Sequence, residues 1–473
     1  MLVLIGFVMI LTFLVLIMTK RLTPMVALIL VPTIFGLFVG AGLGLGDMVM
    51  KAIGSLAPTA ALLMFAIMFF GIMIDVGLFD PLIRVIVRLV GGDPAKIAIG
   101  TAVLAAAVSL DGDGSTTFII VISALLPIYL KLGMNPVVLT CIAGLVNGTL
   151  NIVPWGGPTA RAASALGVSP TDIFVPMVPS LLVGLTIAFL FSWFLGLGER
   201  RRLGRLEQPG EWDEDGKGGG RRGLSLLQGP SMVRGAQTAV GAPVSVSTGG
   251  VAIATAERAD TLDPARATLR PKLIWVNLAL TVAVMTLLVL DIVPLPYVFM
   301  VGASLALVIN FPKLKSQADA IVAHAPSIVG VVSMVLAAGV LVGVLNGTGM
   351  VTAMAQWVVH VVPASMGPFF AVITGVLSIP MTFVMSNDAF YFGVLPILTK
   401  SAATFGIDPV EMARASIIGQ PVHLQSPLVP AILLLVSLAS VNLGDHHKKV
   451  LWRALIVSLS MLVVGVLVGV IPF

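Results

Sequence analysis

The chain has 473 residues, 58% of them hydrophobic and only 10% charged, with a formal net charge of +5. A soluble domain carries about a quarter charged residues, so this balance excludes a soluble globular protein and points to an all-α polytopic membrane protein. The basic excess lies mostly in short loops and carries no nucleic-acid signal, while a single cysteine, Cys141, excludes an intrachain disulfide and a cysteine-based metal cluster.

In chain order, residues 1–18 are apolar, lack a basic leader and run into Lys20-Arg21 rather than a cleavage site, so they read as a first span and not a signal peptide. Further spans fall near 24–42 and 56–78. Two apolar runs follow, 97–110 and 118–130, joined by Asp111-Gly112-Asp113-Gly114-Ser115-Thr116-Thr117. Each run is about 14 residues, whereas roughly 20 helical residues cross ~30 Å of hydrocarbon. The pair reads as a re-entrant hairpin whose tip stops near the bilayer midplane, where irregular backbone survives only against protein or water. Two full spans with an acidic turn outside would return to the same side, so segment length alone separates the readings. A broken span at 136–167 and a span at 171–197 complete a set of five. Lys20, Arg21, Arg84, Arg88, Lys96, Lys131 and Arg200-Arg201-Arg202 then share one side, which the positive-inside rule makes cytoplasmic.

Residues 199–271 change character, with Arg-rich and Asp/Glu-rich patches, Gly218-Gly219-Gly220 and Ala/Gly/Ser/Thr stretches without an apolar period. They read as a cytoplasmic disordered linker between a first repeat, 1–198, and a second, 272–473. The halves correspond: Gly133-Met134-Asn135-Pro136 matches Gly406-Ile407-Asp408-Pro409 at a spacing of 273, which also carries Asn147 onto Gln420 and the first tip onto Ser386-Asn387-Asp388. Second-half spans fall near 273–291, 296–310, 326–345, 409–443 (broken) and 451–470, with a second hairpin at about 366–405. An odd number of spans per half makes the repeats inverted; Lys313, Lys315 and His446-His447-Lys448-Lys449 fall inside as that requires, and Lys400 is the exception. Inverted repeats with interruptions at corresponding positions point to a secondary transporter with a central site.

Four polar breaks supply that site. The first tip offers Asp111, Asp113, Ser115 and Thr116; the second offers Ser386, Asn387 and Asp388. The first broken span, NGTLNIVPWGGPT, offers Asn147, Asn151, Gly156, Gly157, Thr159 and, just beyond, Arg161; the second, QPVHLQSPLVP, offers His423, Gln425 and Ser426. Broken helices expose free N–H groups that attract carboxylates and free carbonyls that attract cations. Three acids beside an anion site repel unless some bind protons or ligate a hard divalent cation. Asp388, with Asp113, is assigned to the metal, and the Asp111/Asp113 pair to the coupled proton, because neighbouring carboxylates push one pKa upward. Arg161 either clamps a carboxylate or snorkels to the outer surface. His423 serves as a relay or ligand, or simply packs. Asp75 reads as a helix-end cap or a group facing cytoplasmic water, and Glu411 with Arg414 as a local pair.

The stretches SLDGDGSTTFIIVISALLPIYLKLGMNP, NGTLNIVPWGGPTARAASALG, VMSNDAFYFGVLPI and QPVHLQSPLVPA resemble the CitMHS family of metal-citrate symporters within the ion-transporter superfamily. The resemblance covers nearly all of the chain except the linker. It implies proton-coupled import of citrate complexed with a divalent metal, of the Mg²⁺ or Ca²⁺ class, by an elevator-like movement of a homodimer in the plasma (inner) membrane. The metal is then part of the substrate, and no permanently bound cofactor is expected. Sodium-coupled dicarboxylate relatives carry Ser-Asn-Thr at their tips; Gly114-Ser115-Thr116 and Ser386-Asn387-Asp388 depart from this and argue against carrying over their sodium sites. A sodium/proton antiporter or a carrier of free organic acid is the alternative within transport. An enzyme is disfavoured because only His423 among five histidines falls at the site, and a channel because pseudo-symmetric halves favour alternating access.

Overall fold

The computed structural model describes residues 1–19, 21–89, 92–112, 114–203, 266–290 and 292–473; Lys20, Asp113 and the expected disordered segment 204–265 lie outside the described residues. Every regular element among the described residues is helical. The first half comprises α1 (Leu2–Met18), α2 (Pro24–Phe38), α3 (Leu45–Asp75), α4 (Asp80–Leu89), a hairpin of α5 (Pro94–Val108) and α6 (Gly114–Lys131), a broken helix of α7 (Pro136–Leu150) and α8 (Gly157–Leu166), and α9 (Pro170–Leu203). The second comprises α10 (Ile274–Leu290), α11 (Leu295–Asn310), α12 (Leu314–Gly347), α13 (Met350–Val361), a hairpin of α14 (Phe370–Val384) and α15 (Leu395–Ala402), a broken helix of α16 (Pro409–Ser416), α17 (Gln420–His423) and α18 (Pro430–Leu438), and α19 (Leu443–Leu467). Local chemistry sets the starts. Asp93 accepts a hydrogen bond from the Ala95 amide and Asn135 from the Val137 amide, each ahead of a proline at the first helical position.

The long helices exceed the apolar runs that announce them. α3 and α12 begin about ten residues before the expected spans because polar residues such as Asp47, Lys51 and Lys315 ride on their first turns. Likewise α9 carries Arg200, Arg201 and Arg202 on its last turn, inside the stretch expected as linker. α4 and α13, short helices that lead into each hairpin, are too short to stand out as spans in the sequence.

Helices from both halves build two packing groups. α1–α3 and α10–α12 pack with one another, while the hairpins, the broken helices, α9 and α19 form the other group. In the first group, Gly339, Gly343 and Gly347 of α12 face α3. A Cβ at Gly343 would lie 2.8 Å from the Met48 carbonyl oxygen, so the stripe is what lets the two backbones approach. The contacts run Gly347 to Met48, Gly339 to Ile53 and His324 to Gly71, so these two helices lie antiparallel. α7 and the second broken helix cross in the same sense, Gly148 meeting Pro421 and Gly144 meeting Gln425.

By length alone, α5 and α6 would each qualify as a span. The neighbouring α9 is nonetheless much longer. Gly196 of α9 packs on Ala95, and from that level α9 continues for about 26 residues, roughly 39 Å, whereas the hairpin turns after about 16 residues, roughly 24 Å. Its tip ends against the break of the neighbouring helix, where Trp155 Nε1 donates to the Leu110 carbonyl at 2.8 Å.

Asp75, the last residue of α3, is part-exposed, and its carboxylate lies 3.0 Å from His324 Nε2 of α12. Two polar residues stand elsewhere than expected. Glu411 closes a capping box on the Asp408 amide, and Arg414 reaches the Asp172 carbonyl instead of Glu411. The chain returning from 204–265 is pinned: Arg266 binds Asp80 through both carboxylate oxygens at 3.0 Å and the Asp75 carbonyl at 3.0 Å, closing the α3–α4 corner.

Candidate functional site

At the first tip, Ser109–Asp111 forms a single tight turn, and Gly112 takes the left-handed conformation, φ 75°. A side chain there would be strained and would press on Trp155. Asp111 is buried at this turn. The Asn147 amide donates to Ser109 Oγ at 2.8 Å, and its Oδ1 is buried without a hydrogen-bond partner among the described residues. Trp155 stacks on Phe70 and meets Phe299 edge-on, so α3 and α11 close one wall beside the tip. Ser115 and Thr116 lie on the first turn of α6.

At the second tip, Ser386 Oγ accepts the Ala389 amide at 3.2 Å and starts a π-helical turn, Ala389–Val394. Such turns place one extra residue per loop of the helix and recur at functional sites. Here it turns Tyr391 toward the second break. Gln420 is the hub. Its Oε1 accepts from Asn151 at 3.2 Å and from Asn387 at 3.4 Å, while its Nε2 donates to Asn387 at 3.2 Å and to the Tyr391 hydroxyl at 2.9 Å. One side chain therefore ties the first break, the second tip and the second break together. Gln420 and Tyr391 were not among the expected binding residues; the match of Gln420 to Asn147 was the signal that marked it.

The electrostatic centre is a single pair. Arg161 Nε donates to Asp388 Oδ1 at 2.6 Å, with side-chain exposures of 18% and 11%. Arg161 therefore stays inside and does not snorkel outward. The guanidinium lies over Gly157, where a Cβ would come within 2.6 Å of Nη1. Among the described residues Asp388 takes only Nε, so the terminal nitrogens of the fork remain open to a ligand. A charge-assisted bond this short is strong, yet one-point attachment leaves most of the planar donor set unused.

Other expected residues serve the frame. Thr159 is buried and donates to the Ile152 carbonyl, while Gly156 sits so near the Asn151 and Val153 carbonyls that only glycine fits. The His423 ring bonds the Thr382 carbonyl, and Ser426 donates to the Phe383 carbonyl, so both fasten the second broken helix to the hairpin behind it. Gln425 Nε2 donates to the Gly144 carbonyl, and its Oε1 accepts from Nε2 of the buried His446 ring. Of the three, none bonds the Arg161–Asp388 pair. Asp113, assigned to metal and proton, lies outside the described residues. Among the described residues no three His, Cys, Asp or Glu side chains gather as a metal cluster.

Residues 1–419 match the CitMHS citrate transporter family. A citrate transporter of Bacillus subtilis (strain 168) is 45% identical over 474 residues, covering 100% of both chains. The chain belongs to the CitMHS citrate transporter family. It is a transporter and not an enzyme. A second relative from the same organism, the Mg(2+)/citrate complex secondary transporter, is 43% identical over 472 residues, covering 100% of this chain and 99% of its own. Among solved structures, the crystal structure of the Alcanivorax borkumensis YdaH transporter, described as having an unusual topology, aligns over 89% of this chain and 87% of that one. Its TM-score is 0.51 at 16% identity, a likeness of fold. Family membership and seven helices long and apolar enough to cross a membrane make this a multi-pass membrane protein.

Proposed function

We propose that the protein imports citrate as a complex with a divalent metal ion, in symport with protons, by an elevator movement. The observation that carries this reading is the Arg161–Asp388 pair, where the second tip meets the first broken helix beside the Asn151–Gln420–Asn387 contacts that tie in the second break. A citrate carboxylate takes the open face of the guanidinium bidentately, and the metal it carries draws Asp388 from Arg161 toward itself. The complex brings most of its own oxygen ligands, so the protein needs to supply only one or two. Asp388 and Asp113 are those ligands, and Ser115, Thr116, Asn147, Ser386 and Asn387 line the approach. The relative named for the Mg(2+)/citrate complex, 43% identical over its full length, supports the substrate class.

Proton coupling falls to Asp111 and Asp113. Two carboxylates close together share a proton readily, and loading one neutralises the tip before the site crosses the membrane. The moving unit is the group of hairpins and broken helices, sliding past α1–α3 and α10–α12. Support comes from α8, whose Ala160 packs with Leu56, Ala60, Leu63 and Val335 in a small cluster separate from the main core. Small side chains at such a boundary allow close contact without interlocking. The unit is a homodimer in the plasma membrane with 204–265 on the cytoplasmic side, in keeping with the family resemblance and the distribution of basic residues.

The test is labelled citrate uptake in liposomes under an imposed pH gradient, across a panel of divalent metals and with a chelator. Uptake should require metal and collapse when the gradient is removed. Inhibition by excess Mg²⁺ and Ca²⁺, with full uptake in chelator, would make the protein a carrier of free citrate.

A further inference from the structure

Away from the substrate site, a pocket of about 460 Å³ lies where the first turn of α7 meets the first turns of α19. Lys449 and Arg453 project into it one turn apart, beside Trp452. The Arg453 guanidinium stacks on the Trp452 ring at 4.1 Å, and its Nη1 donates to the Lys449 carbonyl. Its Nε is buried without a hydrogen-bond partner among the described residues. Neither Lys449 nor Arg453 has a carboxylate within ion-pair distance among the described residues. Asp445 and Lys448 also line the pocket and lie 3.7 Å apart, both exposed, so the lining holds three cations against one acid. Glu199 nearby holds Arg202 at 2.7 Å and the Asn135 amide at 2.9 Å. Two neighbouring cations are thus left facing a cavity, with an aromatic platform between them.

The wall below the pocket names the class of anion. Trp452 is 47% exposed, and one to two turns along α19 Leu455, Ile456 and Leu459 are exposed as well, as are Leu190, Trp193 and Phe194 on α9. In a membrane-spanning helix those side chains face hydrocarbon, which puts Trp452 at the headgroup level where amphipathic aromatics settle. A free phosphate has no use for that apolar wall, whereas a phospholipid fills both parts. We infer that this pocket binds the headgroup phosphate of an anionic phospholipid, held by Lys449 and Arg453, with an acyl chain lying along Leu455 and Leu459. Basic pockets between spanning helices recognise headgroups in this way, each cation near the surface contributing about 1 kcal/mol, a factor of about five in affinity.

The test uses the full-length protein in a neutral detergent, titrated with phosphatidylglycerol, phosphatidylcholine or glycerol 3-phosphate. Thermal unfolding and native mass spectrometry of retained lipid are the readouts. Phosphatidylglycerol should raise the unfolding temperature and stay bound, while the other two should do neither. Lys449→Gln should weaken phosphatidylglycerol binding about fivefold and Lys449→Arg should restore it. Among the described residues Lys449 makes no side-chain hydrogen bond, so its variants keep the test independent of folding, which Arg453 variants need not do. Equal retention of phosphatidylglycerol by Lys449→Gln, or equal stabilisation by glycerol 3-phosphate, would overturn the assignment, the second by making the site one for free anions.

Discussion

Arg161 and Asp388 hold each other at 2.6 Å in a partly buried setting, so neither can be removed without leaving the other's charge unpaired there. Arg161→Lys replaces a planar fork with a point charge; the expected outcome is an apparent citrate affinity lower by about tenfold, with uptake still measurable. An unchanged KM for citrate uptake would place the guanidinium outside the binding site. Asp388→Asn keeps the shape but removes a metal ligand, and uptake by this variant should fall and shift its preference among divalent metals. Metal dependence identical to that of the unaltered protein would remove Asp388 from the metal's shell. Gly157→Ala supplies a milder perturbation: the new methyl would press on Arg161 Nη1, the far end of a flexible side chain, so citrate affinity should drop while expression and thermal stability hold.

The helices of the first packing group owe their close approach to small residues, and this makes α12 a place to test packing separately from chemistry. At Gly343 a Cβ would meet backbone, 2.8 Å from the Met48 carbonyl oxygen, and backbone cannot swing aside. Gly343→Ala should therefore destabilise the protein by about 1–3 kcal/mol, the usual range for overpacking. Gly330, on the same helix, has open space around it, so Gly330→Ala should be neutral or mildly stabilising. Thermal unfolding of the two variants side by side checks this; equal melting temperatures would mean that the α3–α12 contact is looser than the geometry indicates.

The proposed movement between the two packing groups would involve the whole molecule, and α8 sits on the boundary while carrying Arg161. A disulfide between cysteines placed at Ala60 and Ala160 should stop citrate uptake, and reduction should restore it. Transport at the normal rate with the bridge formed would rule out sliding at this boundary. The segment 204–265 offers a second test. Its C-terminal end is fastened by Arg266 to Asp80 and to the end of α3, at the corner that leads into the first hairpin. Deleting most of 205–265 with Arg266 retained should leave uptake largely intact, whereas Arg266→Ala should impair it although far less chain is altered. Complete loss of uptake in a correctly inserted deletion would give the segment a working role.

Composition, apolar run lengths, proline and glycine breaks and the spacing of 273 residues already specify a polytopic helical protein with paired hairpins and paired broken helices. These are local signals: a helix needs its apolar run and its cap, and a break needs its proline or glycine, wherever the rest of the chain lies. The same local reading overlooked α4 and α13, which are too short to span, and underestimated α3 and α12, whose polar ends continue the helix beyond the apolar stretch. Which hydrogen bonds the polar residues of the breaks make was not legible. Thr159, His423, Gln425 and Ser426 stand in the breaks by sequence, yet each spends its hydrogen bonds on the frame, because a broken helix leaves carbonyls and amides that nearby side chains must satisfy. Asn151 and Gln420 are 269 residues apart, and Arg161 and Asp388 are 227 apart. Only the folded chain brings each pair together, since no periodicity within one segment encodes which side chain of a distant segment will stand opposite.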